Sequence, residues 1–128
     1  MKNLINALFL FILAWSCSPS QKTGTAERHS VIKSDSTEYE ITIIDPEFDH
    51  WYLLNFSPAK DYSNPYYRSK NQAAVIAWND YYTRNRYHRV IEDYIYYDNS
   101  VDYGMEVNRK PYWYFKFVEE TYKIRLFH

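Results

Sequence analysis

The chain has 128 residues, 15 Lys and Arg against 16 Asp and Glu, and a formal net charge of −1. That balance gives no positive footprint for nucleic acid, and a lone Cys excludes an internal disulfide. With a leader set aside, the length suits one small domain near the lower limit for a self-sufficient hydrophobic core. Aromatics make up 20% of the chain, 15 residues of it Tyr, and there are only 2 Gly. The core is therefore expected to be built from rings, and the turns from Asn, Asp and Pro.

Residues 1–16 read as a signal peptide. Lys2 supplies the positive start, and the apolar run from Leu4 to Trp15, broken only by Asn6, is too short to span a bilayer and fits an h-region. It ends in Ala14-Trp15-Ser16-Cys17, which resembles the lipobox of bacterial lipoproteins, where the Cys becomes the first mature residue and carries the lipids. It departs from that pattern at Ala14, where Leu is usual, and at Trp15, where a small residue is usual. The resemblance makes Cys17 the lipid-attachment residue and the membrane a partner, held by a firmer anchor than one acyl chain gives. Residues 17–36 are then the lipidated Cys and a flexible tether, rich in Ser, Thr, Lys and Gln and free of aromatics. As a coil, residues 18–36 span about 25 Å on average. In the enterobacterial lipoproteins this resembles, an Asp after the Cys signals inner-membrane retention. Ser18 stands there, so the expected location is the outer membrane. No acidic run follows, which favours a periplasm-facing domain over the alternative, the cell surface. Asp35-Ser36-Thr37 resembles the acceptor pattern for O-glycosylation in Bacteroidota envelope proteins, which marks Ser36 as a candidate glycan site.

Residues 37–128 are expected to form a single globular domain. Over Thr37 to Asp45, Tyr39, Ile41 and Ile43 alternate with Glu40 and Thr42, a strand pattern that Asp45-Pro46 closes. Phe48 to Phe56 reads as a short helix with Phe48, Trp51 and Tyr52 on one side, and Ser57 to Asn64 as a loop. The longest periodic stretch is Asn64 to His88, with Asn64 as N-cap and Pro65 in the first turn. At helical spacing Tyr66, Tyr67, Ala74, Ala77, Trp78 and Tyr81 share one stripe, while Ile76 sits among the polar residues. Arg84, Arg86, His88 and Arg89 form a basic cluster. Val90 to Tyr97 fits helix or strand, and the reading favours a short strand over Tyr94 to Tyr97 that pairs with the first. Asp98-Asn99-Ser100 is a turn. The last helix covers Lys110 to Tyr122 with Tyr114, Phe115, Val118 and Tyr122 inward; a start near Tyr103 would place Pro111 inside it. Ile124 to Phe127 reads as a final short strand. The fold class is thus α+β: a small antiparallel sheet of two or three short strands packed on two main helices plus a short one. Its expected core is Ile41, Ile43, Trp51, Ala74, Trp78, Tyr81, Phe115 and Val118.

The segments EYEITIIDPEFDHWYL, NPYYRSKN with AWN after it, and YDNSVDYGMEVNRK followed by YFKFVEETYKIRL together resemble a family of small uncharacterised lipoproteins from Bacteroidota, a domain of unknown function. The resemblance covers most of residues 37–126 and departs at Pro111, where an apolar residue is expected. It implies localisation and domain extent and brings no activity. The residues themselves assign no catalytic group, metal or cofactor. There is no G-x-S-x-G, and Cys17 is committed to lipid. Asp45, Glu47, Asp49 and His50 lack the spacing of a zinc helix, and Asp98, Asn99, Asp102 and Glu106 lack that of an EF-hand. Asp61, Tyr66, Tyr67 and Arg68 are the candidate binding surface, because Tyr and Arg are favoured where proteins recognise one another. The plainer alternative is that both rings close the core and Arg68 is solvated. The expected function is a non-catalytic binding or scaffolding module docked to another envelope protein. The alternative is a small envelope hydrolase or glycan-acting enzyme built on Tyr, Asp and His.

Overall fold

Asp45-Pro46 opens a helix rather than closing a strand. In the computed structural model, which describes Lys33–Ser34 and residues 41–128, the Asp45 carboxylate accepts the N–H groups of Glu47 at 3.0 Å and Phe48 at 3.2 Å. Pro46 occupies the first turn, where its missing N–H costs nothing. The result is α1, Pro46–Asn55, with Glu47 and Asp49 set favourably against its N-terminal dipole. A 3-10 turn, Pro58–Lys60, leads to α2, Asn64–Thr83, whose cap is Ser63, one residue ahead of the expected Asn64. The last helix, α3, runs Met105–Tyr122 and carries Pro111 inside it. There Pro111 cannot supply the N–H that the Val107 carbonyl would take.

Both α1 and α2 pack on α3. Phe48 of α1 sits against Tyr114 and Phe117, with ring centroids 5.2 and 5.7 Å away, while Trp51 and Phe56 meet Trp113. Across α2, Tyr67 meets Tyr112 at 5.2 Å, and Trp78 meets Tyr114 and Phe115. Such pairs each add about 0.5–1.5 kcal/mol beyond the area they bury. The remaining sides of α3 are closed by irregular chain. Ile91 and Ile95 are buried from the segment after α2, and Ile124 and Leu126 from the tail after α3. Lys123 turns that tail back in the left-handed conformation, φ 57°, and Glu119 then holds it by accepting the N–H groups of Leu126 and Phe127 at 2.7 Å each.

The α+β expectation is overturned: the described residues form a helical domain, and no sheet packs on the helices. Strand pairing among them amounts to a two-residue antiparallel ladder, Lys33 with Thr42 and Ser34 with Ile41. Over the other two expected strands the chain is irregular and has no strand partner among the described residues. Tyr94 to Tyr97 carries no strand, and Ile124 to Phe127 is the tail that Glu119 holds. Apolar alternation in these segments marks chain laid on helices. The signal peptide, Cys17, the tether apart from Lys33–Ser34, Ser36 and most of the expected first strand lie outside the described residues. Of the expected core, Ile43, Ala74, Trp78, Phe115 and Val118 are buried and Trp51 and Tyr81 are partly buried against them, while the burial of Ile41 lies outside what is described. Ile76, expected among the polar residues, is 66% exposed.

Trp78 ties the layers together, since its buried ring touches α3 while its indole N–H donates to the Asp93 carbonyl at 2.8 Å. Trp78→Ala is expected to destabilise the domain by about 3–5 kcal/mol. A thermal melt displaced by only a degree or two would contradict this packing.

Candidate functional site

The strongest concentration of polar interaction lies where the turn before α2 meets α3. The Asp61 N–H closes the 3-10 turn on the Pro58 carbonyl at 3.3 Å, which aims its carboxylate at Arg109. Arg109 answers with both prongs, Nε donating to Oδ1 at 3.0 Å and Nη2 to Oδ2 at 2.6 Å. This bidentate geometry fixes orientation as well as charge. The Tyr67 hydroxyl donates to Asp61 Oδ1 at 2.5 Å, and accepts the Tyr62 N–H at 3.1 Å and the Trp113 indole N–H at 3.3 Å. One donor and two lone pairs are then all used. The Arg109 guanidinium also lies over the Phe56 ring, 5.6 Å from its centroid.

These contacts set the charge states. The Arg109 hydrogen bonds hold the Asp61 carboxyl below the usual carboxylate range, and the Tyr67 hydroxyl adds to them against the opposing effect of burial. Burial, with the Asp61 carboxylate beside it, pushes the Tyr67 phenol up. At neutral pH the carboxylate is therefore ionised and the phenol protonated, each locked to its neighbour. The arrangement works as a clasp between the α2 turn and α3.

A second network runs through the buried Asn108. Its amide donates to Asn64 Oδ1 at 2.8 Å, its side-chain oxygen accepts the Tyr97 hydroxyl at 3.0 Å, and its carbonyl accepts the Asn71 amide at 2.7 Å. Asn64 donates onward to Asp102, which also accepts the Gly104 N–H at 3.0 Å. Gly104 begins α3 at φ +84°, a conformation that L side chains rarely adopt. Burial pushes the Tyr97 hydroxyl up to about 12. The network leaves Asn71 Oδ1 buried with no hydrogen-bond partner, as is Arg68 Nε.

Of the four residues expected to form a binding surface, the structure joins Asp61 to Tyr67 inside the clasp. Tyr66 lies outside it, stacked on Tyr62 with centroids 4.4 Å apart. Arg68 turns the other way and donates to the Asn99 carbonyl at 2.7 Å. Arg109, Trp113, Asn71 and Asn108 were not singled out from the sequence. Arg109 stands 48 residues from Asp61, and the one available signal was a charge within a strongly aromatic helix. The sequence-noted carboxylates near His50 serve other ends: Asp45 caps α1, and Asp49 lies 3.8 Å from Lys110. Among the described residues no group of three His, Cys, Asp or Glu could hold a metal ion, and no helix is long and apolar enough to cross a membrane.

These observations define a small helical domain sheathed in aromatic rings and locked by two polar networks. Over residues 4–128 the chain matches the family of unknown function DUF6146, and it belongs to that family. No curated protein and no solved structure matches it.

The clasp makes two expectations measurable. Arg109→Ala strands a largely buried carboxylate and should lower stability by about 2–4 kcal/mol. In urea titrations, the double variant with Asp61→Ala should lose at least about 1 kcal/mol less than the sum of the two singles; strict additivity would remove the pair from the fold's stability. Because the folded-state value of Asp61 is depressed, its contribution is fully present above the ordinary carboxylate range, about pH 4, and is lost as pH falls through the folded value. Asp61→Asn should accordingly flatten the acid limb of the stability profile.

Proposed function

We propose that this is a lipid-anchored cell-envelope protein, like the small Bacteroidota lipoproteins its sequence resembles, and that its domain is a non-catalytic module that binds or scaffolds another envelope protein. The observation that carries the binding reading is a contrast between interior and surface. The polar side chains that converge, Asp61, Tyr67 and Arg109, are consumed by one another. Large apolar side chains meanwhile stand in the open: Leu53 is 80% and Leu54 72% exposed on α1, and Tyr96 is 70% exposed after α2. Leu53 and Leu54 stand side by side on α1, and adjacent exposed apolar side chains are what a covering partner removes from water. Support for the anchor comes from the leader, Cys17 directly after its apolar run, and the polar residues that follow. Ser18 and the lack of an acidic run after Cys17 support an outer-membrane, periplasm-facing location.

The test is Cys17→Ser in the native host, with membrane fractionation, labelling by a fatty-acid analogue, and affinity purification from the envelope. Wild type should label, sediment with outer membranes and bring down a partner protein. A wild type that never labels, beside a mutant that still sediments, would refute the anchor.

A further inference from the structure

The segment after α2 offers a strand edge that nothing among the described residues fills. From Tyr94 to Asp98 the chain runs without turn or bend. One Asn79 side chain takes both main-chain groups of Ile95, its amide donating to the carbonyl at 2.8 Å and its oxygen accepting the N–H at 2.9 Å. Both groups of one residue point to the same side only in an extended backbone, and those of its neighbours then point the opposite way. Side chains alternate accordingly, with Ile95 buried and Tyr94 and Tyr96 exposed. The N–H and C=O groups of Tyr94 and Tyr96 are thus turned outward, and no described residue bonds them. Exposed rings flank this edge, Tyr82 at 6.1 Å from Tyr94 and Tyr94 at 5.0 Å from Tyr96. An open cleft lies at each end. One of about 430 Å³ is lined by Val75, Ile76, Tyr97 and Asn99, and one of about 610 Å³ by Tyr82, His88, Ile91 and Glu92.

Deepening the binding-module reading, on which it rests, we propose that this edge receives an extended, basic peptide segment of the partner protein by strand addition. Main-chain bonds to Tyr94 and Tyr96 supply the affinity, and the clefts seat alternate side chains. Charge selects the occupant. Between Arg89 and Arg109 there is no Lys, Arg or His, while Glu92, Asp93, Asp98, Asp102 and Glu106 all lie there. Arg68 reaches this stretch from α2 with its guanidinium on the Asn99 carbonyl, and His88 lines one cleft, so the acids outnumber the cations around the edge. The same acids disfavour a second copy of this chain in two of its registers, and those centred on Tyr94 or Tyr96 are decided by the test for self-association. Antiparallel self-pairing about Ile95 sets Glu92 opposite Asp98, and parallel self-pairing sets each acid opposite itself, both of which repel. The edge carries neither Lys nor Pro, two of the usual guards against strand addition.

The probe is a short peptide alternating Lys and Val, titrated into the full-length protein in detergent and followed by NMR amide exchange. Binding should weaken with salt and protect the Tyr94 and Tyr96 amides. N-methylation of alternate peptide bonds should cost about tenfold or more in affinity, since it deletes the main-chain donors. Tyr96→Pro should do the same by removing one outward N–H while leaving the Ile95 bonds to Asn79 intact. No binding, equal binding of the N-methylated peptide, or equal binding of a Glu–Val peptide would overturn the proposal. So would protection of the two amides by self-association without peptide. An envelope partner that binds Tyr96→Pro as well as wild type would leave the module reading standing and remove this edge from it. Absence of any partner beside a bound peptide would do the reverse.

Discussion

The structure depends on covering α3. Its residues from Pro111 to Phe115 are buried without interruption, and at about 100° per residue five in a row go all the way round the helix. A helical turn that is buried on every side has no stable place except inside something, although Glu106, Lys116 and Glu120 keep the ends of this helix partly in water. This chain supplies the sheath from pieces before and after it in sequence: α1 and α2, the buried Ile91 and Ile95, and the tail with Ile124 and Leu126. Each large side chain so enclosed is worth about 1.5–3 kcal/mol. A chain with so many rings can reach stability without a large core.

Rings alone specify position poorly, because tilted and edge-on pairs are nearly equivalent over a range of offsets. The polar networks remove that freedom. The Asp61–Arg109 fork fixes the turn before α2 against one turn of α3, and the Asn71 amide on the Asn108 carbonyl fixes α2 against the start of α3. Hydrogen bonds of this kind are satisfied in one register and broken in any other, and an unsatisfied buried group costs more than the bond contributes. We read the aromatic layer as the source of stability and the clasps as the source of a single arrangement.

What could be read in the sequence followed how local each feature is. The beginnings of α1 and α2 were nearly legible, since Pro46 and Pro65 punctuate the chain there, although Asp45 and Ser63 proved to be the caps. The stripe through Tyr67, Ala74, Ala77 and Trp78 was legible because α2 has one buried face. In α3 an inward face was legible from Tyr114 onward, but the unbroken buried run Pro111–Phe115 interrupts the polar side formed by Glu106, Arg109, Lys110, Lys116 and Glu120, and Pro111 argued against its first half. Tyr94–Tyr97 and Ile124–Phe127 were mistaken for sheet because alternation reports burial on one side, whatever lies beneath. The clasp was half legible: Asp61 and Tyr67 stood close in sequence, but Arg109 reaches them only through the fold.

The tail held by Glu119 bears on when the domain can fold. Leu126 and Ile124 complete the cover of α3, and Tyr81 of α2 also donates to the Arg125 carbonyl at 3.0 Å, linking residues 44 positions apart. A growing chain therefore cannot finish its core when α1 and α2 have emerged, nor even when α3 has, but only once residue 126 is free to lie down. Until then, closure of the long loops is not rewarded by their contacts. The three helices can thus form in any order, but the native core closes only when the tail docks, which makes the tail the last piece of the fold rather than an appendage to it.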